Sequence, residues 1–437
     1  MAYSDRQFQA IGGRYQVSST ADFDLVIVGA GAAGIGAGLV ARSAGLRYRI
    51  LEAGNRVGGR AHTIDIAGIP FDLGAHFLHF APFNPFAQAA LADGRQLGYR
   101  HSRGRQPTAL YYGSRRADAE TRDACQRFYN ESFAAPDGAQ GDIAAAEVID
   151  TTSPFYPPFR NFYAAVNGLT PEECSTSDYQ RYPDIPYDWT VKDGYGRLVT
   201  RLADGLDIAL ETPVRAIDRT GIAVRIETDQ GAVSAKAVIV TVSTAVLASG
   251  AIRFTPALPN DVVSAFSDVR LGRAERTVLV ADRQLPFELD GIVHAMPEAT
   301  RHGKGAMLGM VFGEFGRPTV GGYLAAELAE EIATAEGAAG LAEHTKETAV
   351  EILGSAWRDR FIASASSCWT TDPLILGSYS AAVAGRGASR DVLAARFDER
   401  LLLAGEACSP NQYGTVHGAY ATGTQAVADL IQAGLTA

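Results

Sequence analysis

Only four cysteines, Cys125, Cys174, Cys368 and Cys408, are scattered through 437 residues. No two form a CxxC pair and none joins a histidine at zinc spacing, which excludes a disulfide-stapled scaffold and a structural zinc domain. Buried free thiols are the reading, and they suit a reducing compartment. Lysine is as scarce, at positions 192, 236, 304 and 346. The formal charge of −10 is the reverse of the basic excess a phosphate-binding surface needs, so no nucleic-acid partner is expected and cationic small molecules are favoured. The first twenty residues carry Asp5, Arg6 and Arg14 without an apolar core. A cytoplasmic location is therefore expected, with a periplasmic one left open should a leader have been removed. Internal repeats and low-complexity tracts are lacking.

Charge is also missing from Leu25 to Ala41, but this stretch holds glycines at 29, 31, 34, 36 and 38 and is short for a bilayer. A buried strand feeding a tight turn and a buried helix explains both features, so no membrane span is expected. The overall balance, 47% hydrophobic and 20% charged, is that of a globular enzyme, and the length calls for two interleaved domains rather than one core.

Residues 1–22 read as a polar arm. Leu25-Val26-Ile27-Val28 is a fully buried strand, followed by a helix over 32–44 and a second strand over 47–52, a βαβ unit. From 95 to 190 the pattern loosens into mixed Tyr, Phe, Arg and Pro with short amphipathic stretches such as 118–133. Strands return at 208–217, 222–227 and 232–242. Short strands at 277–281 and 306–312 then alternate with a helix over 324–353, a strand falls at 400–403, and small residues at helical spacing fill 418–433.

Gly29-Ala30-Gly31-Ala32-Ala33-Gly34 is a GxGxxG directly after a strand and opening a helix. The first glycine permits the turn, the second lets the backbone approach a pyrophosphate, and the third lets helix and strand pack closely. The helix N-terminus offers unpaired N–H groups to the phosphates. Glu52, eighteen residues beyond Gly34 and ending the second strand, stands where an acid accepts hydrogen bonds from a ribose diol.

The residues after Glu52 separate FAD from NAD. Glu52-Ala53-Gly54-Asn55-Arg56-Val57-Gly58-Gly59-Arg60 resembles the E-A-x-x-R-x-G-G-R signature of the flavin-containing amine oxidase family. Its glycines let the backbone run beneath a ribityl chain while Arg56 and Arg60 face pyrophosphate or flavin dipoles. The resemblance spans the chain. Phe71-Asp72-Leu73-Gly74-Ala75, followed by His76, is similar to the family's turn near the flavin. Glu211-Thr212-Pro213-Val214 is similar to the strand whose valine holds the adenine. Leu403-Ala404-Gly405-Glu406 with Tyr413-Gly414-Thr415-Val416-His417-Gly418-Ala419 resembles the closing flavin motif, where a glycine–acid pair meets the ribityl chain and a second helix N-terminus faces the ring.

The resemblance implies an α/β fold: a Rossmann-like FAD-binding domain (1–95, 191–255 and 376–437) interleaved with an α+β substrate domain (96–190 and 256–375). It implies FAD as cofactor and oxidation of a small-molecule amine, with oxygen or another acceptor taking the electrons and no metal required. Trp369-Thr370-Thr371-Asp372-Pro373 with Gly377-Ser378-Tyr379 resembles the segment beside the flavin. Monoamine oxidases bond their flavin through a cysteine at the position of Ser378, so a non-covalent flavin is expected here. Tyr379 matches one wall of an aromatic cage, and the second wall corresponds to Thr415, which leaves the cage half open. His79 falls where many polyamine oxidases have a histidine, and is a candidate for a polar contact with substrate or water; a satisfied core histidine is the other reading.

Arg276 is the main departure. Family members usually have lysine there, linked to reoxidation by oxygen; arginine keeps the charge but cannot act as a base. Two other readings stay open: a dehydrogenase passing electrons to a quinone or cytochrome, which Arg276 makes plausible, and an L-amino acid oxidase or carbon–carbon desaturase, which share the FAD motifs. The aromatic residues Tyr111, Tyr112, Phe155, Tyr156, Phe159 and Trp189 line a pocket or fill the core, with core the commoner fate. A homodimer is left open.

Overall fold

The computed structural model describes residues 21–100, 109–183, 185, 187–286, 291–296 and 307–436. Most of the N-terminal arm expected over 1–22, and the start of the strand expected at 306, lie outside them.

The strand Phe23–Val28 sits at the centre of an eight-stranded sheet. It pairs in parallel with Tyr48–Leu51 on one side and Gly231–Val240 on the other. Alternate residues serve opposite faces: Val26 and Val28 enter one core, Leu25 and Ile27 the other. A strand covered on both sides needs an unbroken apolar run, which is what the sequence supplies. Gly231–Val240 is long enough to change neighbours, pairing antiparallel with Val224–Thr228 along its first half and in parallel with Leu401–Leu403 at its end.

The single strand expected over 208–217 is two. Ile208–Ala209 extends one edge beside Tyr48–Leu51, while Val214–Asp218 joins Val224–Thr228 beyond the centre. Between them Glu211 takes a positive φ of 50°, and the turn is fastened to the end of the second strand by Glu211 N–H to Gly54 O at 2.9 Å and Thr212 N–H to Glu52 O at 2.8 Å.

The helix after the glycine turn, Ala32–Ser43, packs against the C-terminal helix Val416–Gln432. Their axes come so close that a Cβ on Gly423 would lie 1.9 Å from the Ala33 carbonyl oxygen, and one on Gly36 2.7 Å from that of Tyr420. The small residues of both helices are therefore a packing requirement.

A second, seven-stranded sheet runs Phe361–Ser366, Ala274–Ala281, Thr319–Ala325, Leu308–Phe312, Gly291–Met296, Ala109–Tyr112 and Arg115–Arg116. One face is covered by the helical run Ala326–Leu353, which starts two residues later than expected because Leu324 and Ala325 end the preceding strand, and which breaks at Gly337 (φ 65°). Against the other face lie an aromatic core containing Tyr129, Tyr156, Phe159 and Tyr163 and, nearer the first sheet, Phe71 and Leu73 on Val278 and Val280. Tyr156 and Phe159 are thus core, as is Tyr111, while Tyr112, Phe155 and Trp189 are partly buried. The helix Asn260–Asp268, numbered with the substrate part in the expected division, packs into the core of the first sheet through Val262, Ala265 and Phe266. Three cysteines are buried; Cys368 is the exception to the expectation, part-exposed beside Thr371. Among the described residues no helix is long and apolar enough to cross a membrane.

Candidate active site

The strand ends of the first sheet converge on the glycine turn. Gly29 N–H is held by Leu51 O at 2.8 Å, and Thr241, at the end of Gly231–Val240, donates its hydroxyl to Val28 O. A Cβ on Gly34 would stand 1.8 Å from the Gly29 carbonyl oxygen, so helix and turn touch backbone to backbone. Gly31 differs: nothing lies within 4 Å of where its Cβ would be, and it begins the Ala32–Ser43 helix with no side-chain cap. Ala33 is buried on that first turn. The first N–H groups of the helix therefore have no side-chain cap, and room lies beside Gly31, the condition for receiving an anion.

Glu52 accepts from Ala30 N–H at 2.7 Å and Gly54 N–H at 2.8 Å. Ala53 follows it, and the Glu211–Val214 turn lies alongside through its bonds to Gly54 and Glu52, with Val214 buried. These residues gather at one end of the turn. At the other, Gly58 N–H donates to Ala30 O at 2.8 Å, and Gly59 approaches Gly31 so closely that its Cβ would be 3.4 Å from the Gly31 Cα. Arg56 donates to Gly59 O at 2.8 Å and its guanidinium lies 5.9 Å from the Trp369 ring centroid. Burial pushes its pKa down, with Glu52 and Asp372 opposing.

Arg60 reaches across to the C-terminal motif, donating to Ser378 O and to Glu406 Oε1, the latter at 2.9 Å. Ala75 N–H donates to Arg60 O at 3.0 Å, and Gly74 leaves no room there, its Cβ being 1.8 Å from that oxygen. Glu406 is 5% exposed and accepts four hydrogen bonds, from Arg60, Ser380 N–H, Ser380 Oγ and Gly414 N–H. Burial alone would raise its pKa; Arg60, Ser380, Arg390 and Gly414 hold it below the ordinary carboxylate value. A carboxylate has about four lone-pair positions, so its outward offer, with Gly405, is backbone. A cavity lined by Arg60, Thr241, Ser243, Gly405 and Glu406 lies at this corner.

Thr415 caps the C-terminal helix: its hydroxyl donates to Gln412 O at 2.6 Å and accepts from Gly418 N–H at 2.9 Å, ahead of Val416. Tyr379 lies against Gly414 and Gly168 and donates its hydroxyl to Ala165 O. Burial raises the phenol pKa, so it stays protonated. Ser378 is buried beside it, its hydroxyl without a hydrogen-bond partner among the described residues.

His79 Nδ1 is 2.8 Å from Asp188 Oδ1. A carboxylate can only accept, so Nδ1 carries a proton toward it, and in the neutral imidazole Nε2 is the acceptor. Asn84 links this pair to the cap, donating to His79 O at 2.9 Å and standing 3.2 Å from His417 Nδ1. Burial, reinforced by His79, lowers the His417 pKa to about 3, so this ring is neutral. Its Nε2 lies 3.5 Å from Thr415 Oγ. His76 is elsewhere: buried, 3.6 Å from Asp72 Oδ2 and 3.2 Å from Glu314 Oε1.

Arg276 is 5% exposed, with Phe71 and Tyr323 rings 4.4 and 5.3 Å from its Cζ. Its Nε and Nη1 have no hydrogen-bond partner among the described residues. Tyr323 also adds electrostatically to the effect of burial on the Tyr379 phenol. Sequence reasoning missed Asp188, Asn84, Asp178, Ser380 and Arg390; Asp188 and Asp178 lie 109 and 212 positions from His79 and Arg390, and the others stand in no recognised motif. His417 stood inside a recognised motif without an assigned part.

The turn, acid and open helix end fit a dinucleotide, and the Arg60–Glu406 corner fits a polar chain running from it toward Tyr379. Residues 180–431, more than half the chain, match the family described as flavin containing amine oxidoreductase, and residues 27–92 match an NAD(P)-binding Rossmann-like domain. Polyamine oxidase 4 of Oryza sativa subsp. japonica is 26% identical over 92% of this chain and 87% of its own. Lysine-specific histone demethylase 2 of Homo sapiens is 24% identical over 92% of this chain, which spans 52% of that protein. A redesigned putrescine oxidase shares the fold, with a TM-score of 0.72 at 21% identity, covering 94% of this chain and 99% of that one. The chain belongs to the flavin-containing amine oxidoreductase family, an enzyme family whose cofactor is FAD.

Proposed function

We propose that this enzyme oxidises a small amine at the carbon next to nitrogen and passes the electrons to oxygen, giving hydrogen peroxide and an imine that hydrolyses to an aldehyde or ketone. FAD, held non-covalently, supplies the hydride acceptor. The five-segment division, with the first sheet for the cofactor and the second for substrate, is part of the same proposal.

The observation that carries it is the arrangement around Tyr379. Its hydroxyl is tied to Ala165 O, so the residue offers a ring face rather than an acid. Thr415, which follows the Gly414 that packs against Tyr379, is spent on capping and cannot serve as a base. An aromatic wall beside a short side chain orients an amine and disfavours its ammonium form by desolvation. A free alkylamine has a pKa of about 10, so most of it arrives charged. His79, with Nδ1–H fixed by Asp188 and Nε2 available, is placed to take that proton and stays oriented afterwards. In the adenosine half, Glu52 and Val214 would hold ribose and adenine, the Gly31 helix end the pyrophosphate, and Gly59, Arg60, Gly405 and Glu406 the ribityl chain.

Anaerobic mixing with a panel of mono-, di- and polyamines tests this: a productive substrate bleaches the flavin absorbance, and admitting oxygen restores it with stoichiometric peroxide. Flavin that no amine bleaches would refute amine oxidation. Reoxidation slower by oxygen than by a dye acceptor would refute oxygen as the electron acceptor.

A further inference from the structure

Among the described residues the largest fully buried side chain is a cation, and it lies behind the flavin corner rather than in it. Arg390, in the short helix Ser389–Ala394, is 0% exposed and forms a bidentate ion pair with Asp178, Nε to Oδ1 at 2.6 Å and Nη2 to Oδ2 at 2.7 Å. Asp178 is 1% exposed and also accepts from Ala382 N–H at 2.8 Å. Replacing such a pair by apolar side chains is often neutral or stabilising, so stability alone is a poor reason for it. Its connections suggest another.

The remaining arginine donor, Nη1, reaches Ser380 Oγ at 3.2 Å and Ala407 O at 3.0 Å. A serine hydroxyl has one proton and two lone pairs. With Arg390 on a lone pair, the proton is directed to Glu406 Oε2, 2.6 Å away. Glu406 passes the constraint on, through Oε1 to Arg60 and through Oε2 to Gly414 N–H, the residue before Thr415. Tyr413 is held as well: its ring lies 3.9 Å from the Arg390 Cζ and its hydroxyl donates to Asp178 O at 2.9 Å. A chain of hydrogen bonds thus runs Asp178, Arg390, Ser380, Glu406, Arg60, two ion pairs joined by one hydroxyl.

We propose that Asp178 and Arg390 are a positioning pair, acting through Ser380 and Glu406 to fix Arg60 and the Gly414–Thr415 turn against the flavin, and so set its affinity and redox potential. This rests on the flavin reading of the Arg60–Glu406 corner. The pair acts on Glu406 by orienting the Ser380 hydroxyl that meets one of its lone pairs and by the positive charge of Arg390 nearby.

The test uses full-length protein stripped of flavin and titrated with FAD by fluorescence quenching, beside the midpoint potential of the reloaded enzyme and the melting temperature of the stripped form. Ser380→Ala removes one hydroxyl and leaves the ion pair whole. It is expected to weaken FAD binding about tenfold and shift the potential, beside a fall of a few degrees in the apo melting temperature for the one lost bond. Arg390→Lys, which cannot bind bidentately, should do at least as much. If Arg390→Lys does not fold, Ser380→Ala decides. Wild-type affinity and potential in Ser380→Ala would overturn the proposal, as would a fall in melting temperature alone. Wild-type protein that takes up no FAD would instead sink the flavin reading, and this one with it.

Discussion

Two alanine substitutions in the glycine turn separate what that turn does for folding from what it does for the cofactor. At Gly31 the new methyl meets no protein atom within 4 Å, and the backbone there (φ −74°, ψ −174°) is open to any residue. Losing a glycine N-cap for alanine costs a few tenths of a kcal/mol to about 1 kcal/mol, offset by a similar gain from restricting the unfolded chain. Stripped Gly31→Ala protein should therefore melt within about 4 °C of wild type. With FAD present the methyl occupies the path by which pyrophosphate reaches the helix N–H groups. Loss of about two charge-assisted hydrogen bonds at ~1.5 kcal/mol each is ~3 kcal/mol, or roughly a hundredfold in Kd. Gly34→Ala puts its methyl 1.8 Å from the Gly29 carbonyl oxygen and 2.9 Å from its carbon. Neither is a side chain that can swing away, so the helix must move, costing about 3 kcal/mol or more in the stripped protein as well. The assay is FAD titration of stripped protein beside differential scanning fluorimetry. Unaltered FAD affinity in Gly31→Ala would refute the placement of the pyrophosphate. Equal loss of apo stability in both variants would refute the distinction between them.

Arg276→Lys should speed the oxygen half-reaction in stopped-flow reoxidation and make its rate depend on pH, since lysine titrates and arginine does not; an unchanged rate and profile would remove Arg276 from that step. Tyr379→Phe keeps the ring and gives up only the bond to Ala165, so KM should change little, whereas Tyr379→Ala should raise KM roughly tenfold; steady-state kinetics on one good amine distinguishes the two. Asp24 is fully buried, which by itself would raise its pKa, yet hydrogen bonds from Arg47 and Lys236 prevail and lower it from 3.8 to about 2. A depressed carboxylate stabilises the fold above its unfolded pKa and loses that contribution as pH falls through the folded value. Asp24→Asn should therefore be less stable than wild type at pH 6, by about 1–2 kcal/mol once screening at the part-exposed Arg47 and Lys236 is allowed for, with the gap closing by about pH 2; thermal melts across that range that keep the gap in acid would refute the assignment.

The glycine turn, Glu52 and the closing helix were legible from sequence because local physics governs each. A buried parallel strand must be apolar throughout, a backbone approaching a phosphate must lack a side chain, and a strand-end acid has a fixed spacing from the turn. Three elements were blurred for equally physical reasons. Positions 208–217 have uniform strand character, but the tie of Glu211 and Thr212 to Gly54 and Glu52 divides them between distant parts of one sheet. Leu324 and Ala325 fit a helix and are claimed by a strand through pairing with Glu275 and Ala274. Cys368 has the composition of a core thiol and is left part-exposed by the loop that Glu275 pins through Trp369 and Thr370 N–H.

By itself the sequence determined that this chain grips a dinucleotide and which end of the fold does so, since those features depend on neighbours a few residues apart. The tertiary structure alone decided which distant groups meet: Asp188 and His79 across 109 positions, Phe71 and Tyr323 around Arg276, and Arg390 paired with Asp178 behind Ser380. Contacts between side chains tens to hundreds of residues apart leave no period or spacing in one chain, because they are set by how sheets and helices stack rather than by any local preference.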